Sequence, residues 1–258
     1  MCQLFGMSTR TPVRVRFRWE RFASQGAVAG NPDGWGVAYG GGDVQVMREP
    51  VPAVDSELVR FLAEHGPLAT TVVSHVRRAT QGGRILSNTQ PYARVLGGFT
   101  HVFAHNGHVP LDAIPESPWL RPVGDTDSEA LFCLLLSRLE PLWQHGVPPL
   151  ESRCEVVSEF AGEMRRRGAV NFLYFDGLTM FAHAHRRTIP GEGISTDPGL
   201  YMTLRSGNGP AGSGSCVGMD CNGPVPEQTL IATVPVDNGI WEPMEEGALI
   251  RLEQGRVV

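Results

Sequence analysis

From Leu4 to Ala104 the apolar residues fall in short runs: Leu4–Met7, Trp35–Tyr39, Val44–Met47, Leu68–Val76 and Val102–Ala104. Gly, Pro, Asn or Asp bounds each run, the pattern of strands joined by tight loops. Between them Asp55-Ser56-Glu57 opens a short amphipathic helix with Leu58, Phe61 and Leu62 on one face. Thr126-Asp127-Ser128-Glu129 then has the Thr-x-x-Glu form of a capping box. The following Ala130 to Leu139 are apolar on nearly every side, which predicts a buried helix that Pro141 breaks. A second helix is expected from Leu150 to Arg167, with Leu150, Cys154, Val157, Ala161 and Met164 at helical spacing. Arg165 to Arg167 suit its C-terminal dipole and Gly168 its stop. Strands return at Val170–Phe175 and Thr179–His183 around an Asp176-Gly177 hairpin signal. Residues 206 to 224, rich in Gly, Ser, Asn and Pro, are expected to form a long surface loop. Strands Thr229–Val234 and Leu249–Leu252, with a Gln254-Gly255 turn, close the pattern. Strands, two helices, then strands again suit an α+β domain of two sheets sandwiched with helices.

At 258 residues and 41% hydrophobic content the chain can bury a full core, and a net charge of −5 gives no footprint for nucleic acid or an acidic membrane. The cations carry more information. All 22 are arginine, so a Schiff-base lysine, a pyridoxal-phosphate anchor and a Walker A loop are excluded. No leader and no long apolar span is evident, so a cytoplasmic location and free thiols are expected. Cys133 and Cys154 lie in helical stretches and read as small core residues, and the spacing of Cys216 and Cys221 is not that of a zinc site. Neither metal nor cofactor is expected.

Cys2 changes this picture. Once the initiator methionine is removed, Cys2 carries both a thiol nucleophile and a free α-amine. The amine's reference pKa of about 7.7–8.0 suits a general base at neutral pH, whereas arginine stays protonated. His105-Asn106-Gly107 ends a strand and offers an amide NH₂ beside a glycine N–H, a donor pair for a developing oxyanion. Ser74-His75-Val76-Arg77-Arg78-Ala79-Thr80 ends another strand, and its arginines can clamp a carboxylate. Asp127 sits in the first turn of a helix, where the dipole favours its ionised form and readies it for an ammonium. A carboxylate clamp plus an ammonium acceptor is what an amino-acid head group requires.

These segments resemble the class II glutamine amidotransferases, which are N-terminal-nucleophile (Ntn) hydrolases. More narrowly they resemble the stand-alone YafJ-like group, related to the γ-glutamyl hydrolase of ergothioneine synthesis (EgtC-like). The matching segments are Cys2–Ser8, Asn31-Pro32-Asp33-Gly34-Trp35-Gly36, Ser74–Thr80, Asn88-Thr89-Gln90-Pro91-Tyr92, Ala104–Gly107 and Gly124–Glu129. The tail, Ile231-Ala232-Thr233 through Trp241-Glu242-Pro243, fits too. The resemblance implies a four-layer αββα sandwich in one domain, residues 2–258, with Met1 removed. It implies Cys2 as nucleophile with its α-amine as base, Asn106 and Gly107 as oxyanion hole, Arg77 on the substrate α-carboxylate and Asp127 on its α-amine. Thr80, Gly34 and Trp35 are expected to line the substrate site, with Asp33 to Gly36 as backbone beside the nucleophile strand.

The chain departs from its relatives at Gln90, where they commonly carry a histidine, and at Arg78, where synthase-linked relatives often carry tryptophan. The implied reaction is hydrolysis of a γ-glutamyl amide through a thioester, releasing glutamate and ammonia or an amine. The alternatives are a subunit feeding ammonia to a separate synthase and a catalytically idle binding or scaffold subunit. Residues 184–224, with Arg186 and Arg187, are the expected seat of specificity.

Overall fold

The computed structural model describes residues 2–15, 32–189, 193–205, 219–220 and 226–258, with backbone alone at 188–189, 194–196 and 219–220. The strands up to the midpoint are β1 (Gln3–Val15), β2 (Trp35–Gly40), β3 (Gln45–Glu49), β4 (Leu68–Val76), β5 (Tyr92–Leu96) and β6 (Phe99–His108). Those after it are β7 (Ala169–Phe175), β8 (Met180–His183), β9 (Arg186–Ile189), β10 (Gly193–Pro198), β11 (Tyr201–Arg205), β12 (Met219–Asp220), β13 (Gln228–Ala232), β14 (Glu242–Pro243), β15 (Leu249–Glu253) and β16 (Arg256–Val257). The helices are α1 (Glu57–His65), α2 (Asp127–Trp143) and α3 (Leu150–Met164).

One sheet has the order β14-β11-β13-β1-β4-β2-β3, with β12 paired to β1, and the other has the order β16-β15-β8-β7-β6-β5. Every ladder of both is antiparallel. Strand alternation explains the layering. On β1, Leu4 points between the sheets with Ala38, Val73, Ala104, Leu173 and Ile231. Phe5 and Met7 point to the opposite face and pack with Trp35, Val37, Val72 and the α1 residues Val59 and Leu62. On the second sheet Phe103, Phe172 and Tyr174 turn outward onto α2 and α3. The layers run helix, sheet, sheet, helices: the α+β, αββα architecture that was expected.

Local differences have local causes. Strand β1 runs through Pro12, past the expected Leu4–Met7, because its register with β4 shifts between Ser8 and Val13, where a missing N–H costs nothing. In α1 the Ser56 cap, accepting from the Val59 N–H at 3.0 Å, sets a phase that buries Val59 and Leu62. Phe61 therefore lies on the exposed side, its ring 5.0 Å from that of His65. Pro141 does not break α2, which continues to Trp143. The proline falls in the last turn, and the buried Trp143 offsets the one lost backbone bond. Helix α3 ends at Met164, with Arg165 to Arg167 in a turn whose last amides return to the Met164 carbonyl. The predicted 206–224 loop, Cys216 and Cys221 lie outside the described residues apart from β12. Cys133 is buried, as expected, and Cys154 packs against the helical core. Among the described residues no helix is long and apolar enough to cross a membrane.

Candidate active site

Cys2 stands immediately before β1, whose first residue Gln3 pairs with Val76 at the end of β4. The thiol is half-buried and lies 3.2 Å from the Arg78 N–H, which donates to it, and 3.2 Å from the Arg78 carbonyl, to which it donates. Burial pushes its pKa up, against the lowering effects of the Arg78 bond and the Arg77 charge; Asp127 pushes it further up. Both charged groups expected at the site therefore act on the sulfur through space. A thiol kept protonated needs a base before it can attack.

Asn106 faces Cys2 from the other sheet, two residues beyond Ala104 on the inner face of β6. Its Nδ2 donates to the Cys2 carbonyl at 2.8 Å. An amide NH₂ has two N–H bonds, so this contact leaves one for a substrate oxygen. From behind, Asn171 Nδ2 holds the Asn106 carbonyl at 3.0 Å. Gly107 is next; a Cβ there would collide with the Ala169 carbonyl of β7, so close approach of the neighbouring strand demands glycine.

Arg77 is buried, and its terminal nitrogens donate to four backbone carbonyls: Asp33 (3.4 Å), Gly83 (3.0 Å), Gln81 (2.8 Å) and Gly82 (3.1 Å). These bonds use the terminal nitrogens and tie the guanidinium to the 79–83 loop, leaving the Nε N–H for a substrate carboxylate. Asp33 pins that loop, accepting from the Ala79 N–H at 2.7 Å and pairing with Arg84 Nε. Thr80 is exposed on the same loop. Gly34 takes φ +134°, and a Cβ there would lie 3.1 Å from the Glu49 carbonyl. The Trp35 side chain is fully buried in the outer core, on the sheet face away from Cys2. Its expected place in the substrate lining is thus corrected: the ring packs into the core under α1 instead.

Asp127, in the first turn of α2, is buried and accepts from the Val109 N–H at 2.9 Å and the Ser128 N–H at 2.8 Å. Two backbone bonds leave acceptor capacity on a carboxylate for an ammonium. His108 Nδ1 lies 3.6 Å from the same carboxylate. His105 Nε2 faces the Ala169 carbonyl at 3.3 Å, so it carries the proton, and Nδ1 accepts from Ser128 Oγ at 2.9 Å. Burial keeps that ring neutral.

Three residues were given no role from sequence. Gln90 Oε1 accepts from the His105 N–H at 2.6 Å, so this side chain fixes the strand carrying Asn106. The fully buried Asn88 donates to the Gly83 carbonyl at 3.1 Å and accepts from the Asp125 N–H at 3.0 Å. It thereby ties the Arg77 loop to the approach of α2. Asn171 does the corresponding work behind Asn106. Asn88 and Gln90 sat inside recognised segments, but buried amides have no spacing signature; only their partners reveal them. Among the described residues no group of three His, Cys, Asp or Glu converges as a metal site would require.

The family model for class II glutamine amidotransferases matches residues 1–258. The protein named "Putative glutamine amidotransferase YafJ" from Escherichia coli (strain K12) is 32% identical over 185 residues, covering 71% of this chain and 72% of its own. A crystal structure titled as a predicted glutamine amidotransferase from Pseudomonas aeruginosa PA01 superposes with a TM-score of 0.71 at 29% identity, covering 100% of this chain and 99% of that one. Glutamine phosphoribosylpyrophosphate amidotransferase from B. subtilis shares the fold alone, with a TM-score of 0.59 at 13% identity over 100% of this chain and 48% of its own.

Proposed function

The chain belongs to the class II glutamine amidotransferases, enzymes acting on the glutamine amide C–N bond, and we propose that it hydrolyses a γ-glutamyl amide through a thioester on Cys2. After removal of Met1 the Cys2 α-amine takes the thiol proton and the sulfur attacks the γ-carbonyl. The oxyanion gathers at Asn106 Nδ2 and the Gly107 N–H. Collapse breaks the C–N bond, and the proton leaves with the amine. Water then cleaves the thioester and releases glutamate. Arg77 takes the α-carboxylate and Asp127 the α-ammonium, which fixes the amino acid by both ends. The burial that keeps the thiol protonated is why a base on the same residue suits this site.

The observation that carries this reading is the 2.8 Å bond from Asn106 Nδ2 to the Cys2 carbonyl. It joins an amide donor on one sheet to Cys2 on the other, which supports a nucleophile and oxyanion donor acting together. Treatment with 6-diazo-5-oxo-norleucine should label one residue, Cys2 by mass mapping, and stop glutamate release from glutamine. Cys2→Ala should take no label and turn over nothing while keeping its thermal transition. Activity in that variant, or label elsewhere, would overturn the mechanism.

A further inference from the structure

Arg187 lies on β9 and is only 8% exposed. Among the described residues its Nε and Nη2 meet no hydrogen-bond acceptor, and Nη1 makes a 3.8 Å ion pair with the exposed carboxylate of Asp197, longer than a hydrogen bond. A guanidinium stays charged, and burying its N–H groups without acceptors is costly. A planar fork of this kind matches a carboxylate.

Its place in the fold says which part of a substrate would reach it. Asn171 Nδ2 donates 3.0 Å to the Asn106 carbonyl and 3.0 Å to the Arg186 carbonyl, so one side chain ties β9 to the strand bearing Asn106. In the first sheet β4 and β2 lie on one side of β1, and β13 and β11 on the other. Arg77 follows β4 and Asp33 precedes β2; Tyr201, which acts on Arg187 through space, opens β11. In the second sheet β5 flanks β6 on one side and β7 on the other. Asn88, which braces the Arg77 loop, precedes β5, whereas Arg186 is held by β7. Both sheets thus set Arg77 and Arg187 on opposite flanks of the Cys2–Asn106 contact. A γ-glutamyl amide anchored by its α-end at Arg77 extends its nitrogen substituent towards the other flank.

We propose that Arg187 is an anion subsite for the leaving group, which makes the amide of an amino acid, a γ-glutamyl amino acid or peptide, the preferred substrate. This rests on the hydrolase reading above. The reaction balances as γ-glutamyl-NHR plus water giving glutamate plus RNH₂, where R bears the carboxylate held by Arg187.

The test compares γ-glutamylglycine with γ-glutamylglycinamide, which lacks only the leaving-group charge, using processed protein. The expected kcat/KM preference for the acid is about 10- to 100-fold, the range of a charge-assisted hydrogen bond. Arg187→Met should remove most of that preference, chiefly through KM, and Arg187→Lys should keep part of it. Equal values for the two substrates in the wild-type protein would overturn the subsite, and this arm needs no variant to fold. An undiminished preference in Arg187→Met would overturn it too. Glutamate release from glutamine, measured alongside, separates the two ideas. If glutamine is cleaved without any preference for the acid, the subsite falls and the hydrolase stands. If no substrate is cleaved and Cys2 takes no label, both fall.

Discussion

At the scale of single residues, the candidate site is a set of polar groups each already holding backbone. Asn106 bonds the Cys2 carbonyl, Arg77 bonds four carbonyls and Asp127 two amides. Such bonds fix the side chains before a substrate arrives, which is the condition for electrostatic stabilisation without reorganisation. In the proposed mechanism Asn106→Ala removes one oxyanion donor, and it is expected to lower kcat by about 10²–10³ with KM little changed. Steady-state glutamate release would measure this, and a rise in KM with kcat unchanged would argue against the role. Which residue types are able to carry chemistry was legible from sequence, because a thiol beside an α-amine, an Asn-Gly pair and paired arginines each have a recognisable chemical use. The bracing amides Asn88, Gln90 and Asn171 were not, since the same residue on a surface would leave the same letter.

At the scale of elements, the short apolar runs located most strands, and β4 spans the predicted Leu68–Val76. The strands β5, β9, β10, β11, β12, β14 and β16 were missed, because pairing with neighbours rather than a hydrophobic face of their own makes them strands. The capping box is half present. Thr126 accepts from the Glu129 N–H at 3.3 Å, but the Glu129 carboxylate turns to Arg94 at 2.6 Å and to the Gly124 N–H at 2.7 Å. Tertiary partners outbid the local one at that helix start. A similar long-range bond ties α3 to the β7–β8 hairpin. There Arg153 donates to Asp176 at 2.5 Å and to Thr179 at 3.1 Å, all three buried. Arg153→Ala leaves the Asp176 carboxylate buried and unpaired, and is expected to cost about 3–5 kcal/mol. Urea unfolding would read this as a lower midpoint with an unchanged slope.

At the scale of the whole molecule, the αββα stack buries histidines as neutral groups in its core. Burial lowers the pKa of His75 to about 3 and those of His101 and His183 to about 4, all from 6.5. The unfolded chain therefore binds more protons than the folded one between those values and 6.5, so stability falls as pH drops through that window. The expected loss at pH 5 is on the order of 2 kcal/mol per histidine. Denaturation midpoints at pH 7.5 and pH 5 test this, and equal midpoints would refute it. Hydrophobic alternation, turn residues and a cysteine beside the initiator methionine determined, within the sequence itself, the class of fold, most of its strands and the kind of chemistry. Those are local properties, set by side-chain period and functional group. The tertiary structure alone decided that Cys2 and Asn106 meet across two sheets, that Trp35 turns its ring away from the site, and that Arg187 is buried on the flank opposite Arg77. Such facts depend on strand order and register, and these are fixed only when distant segments pack against one another.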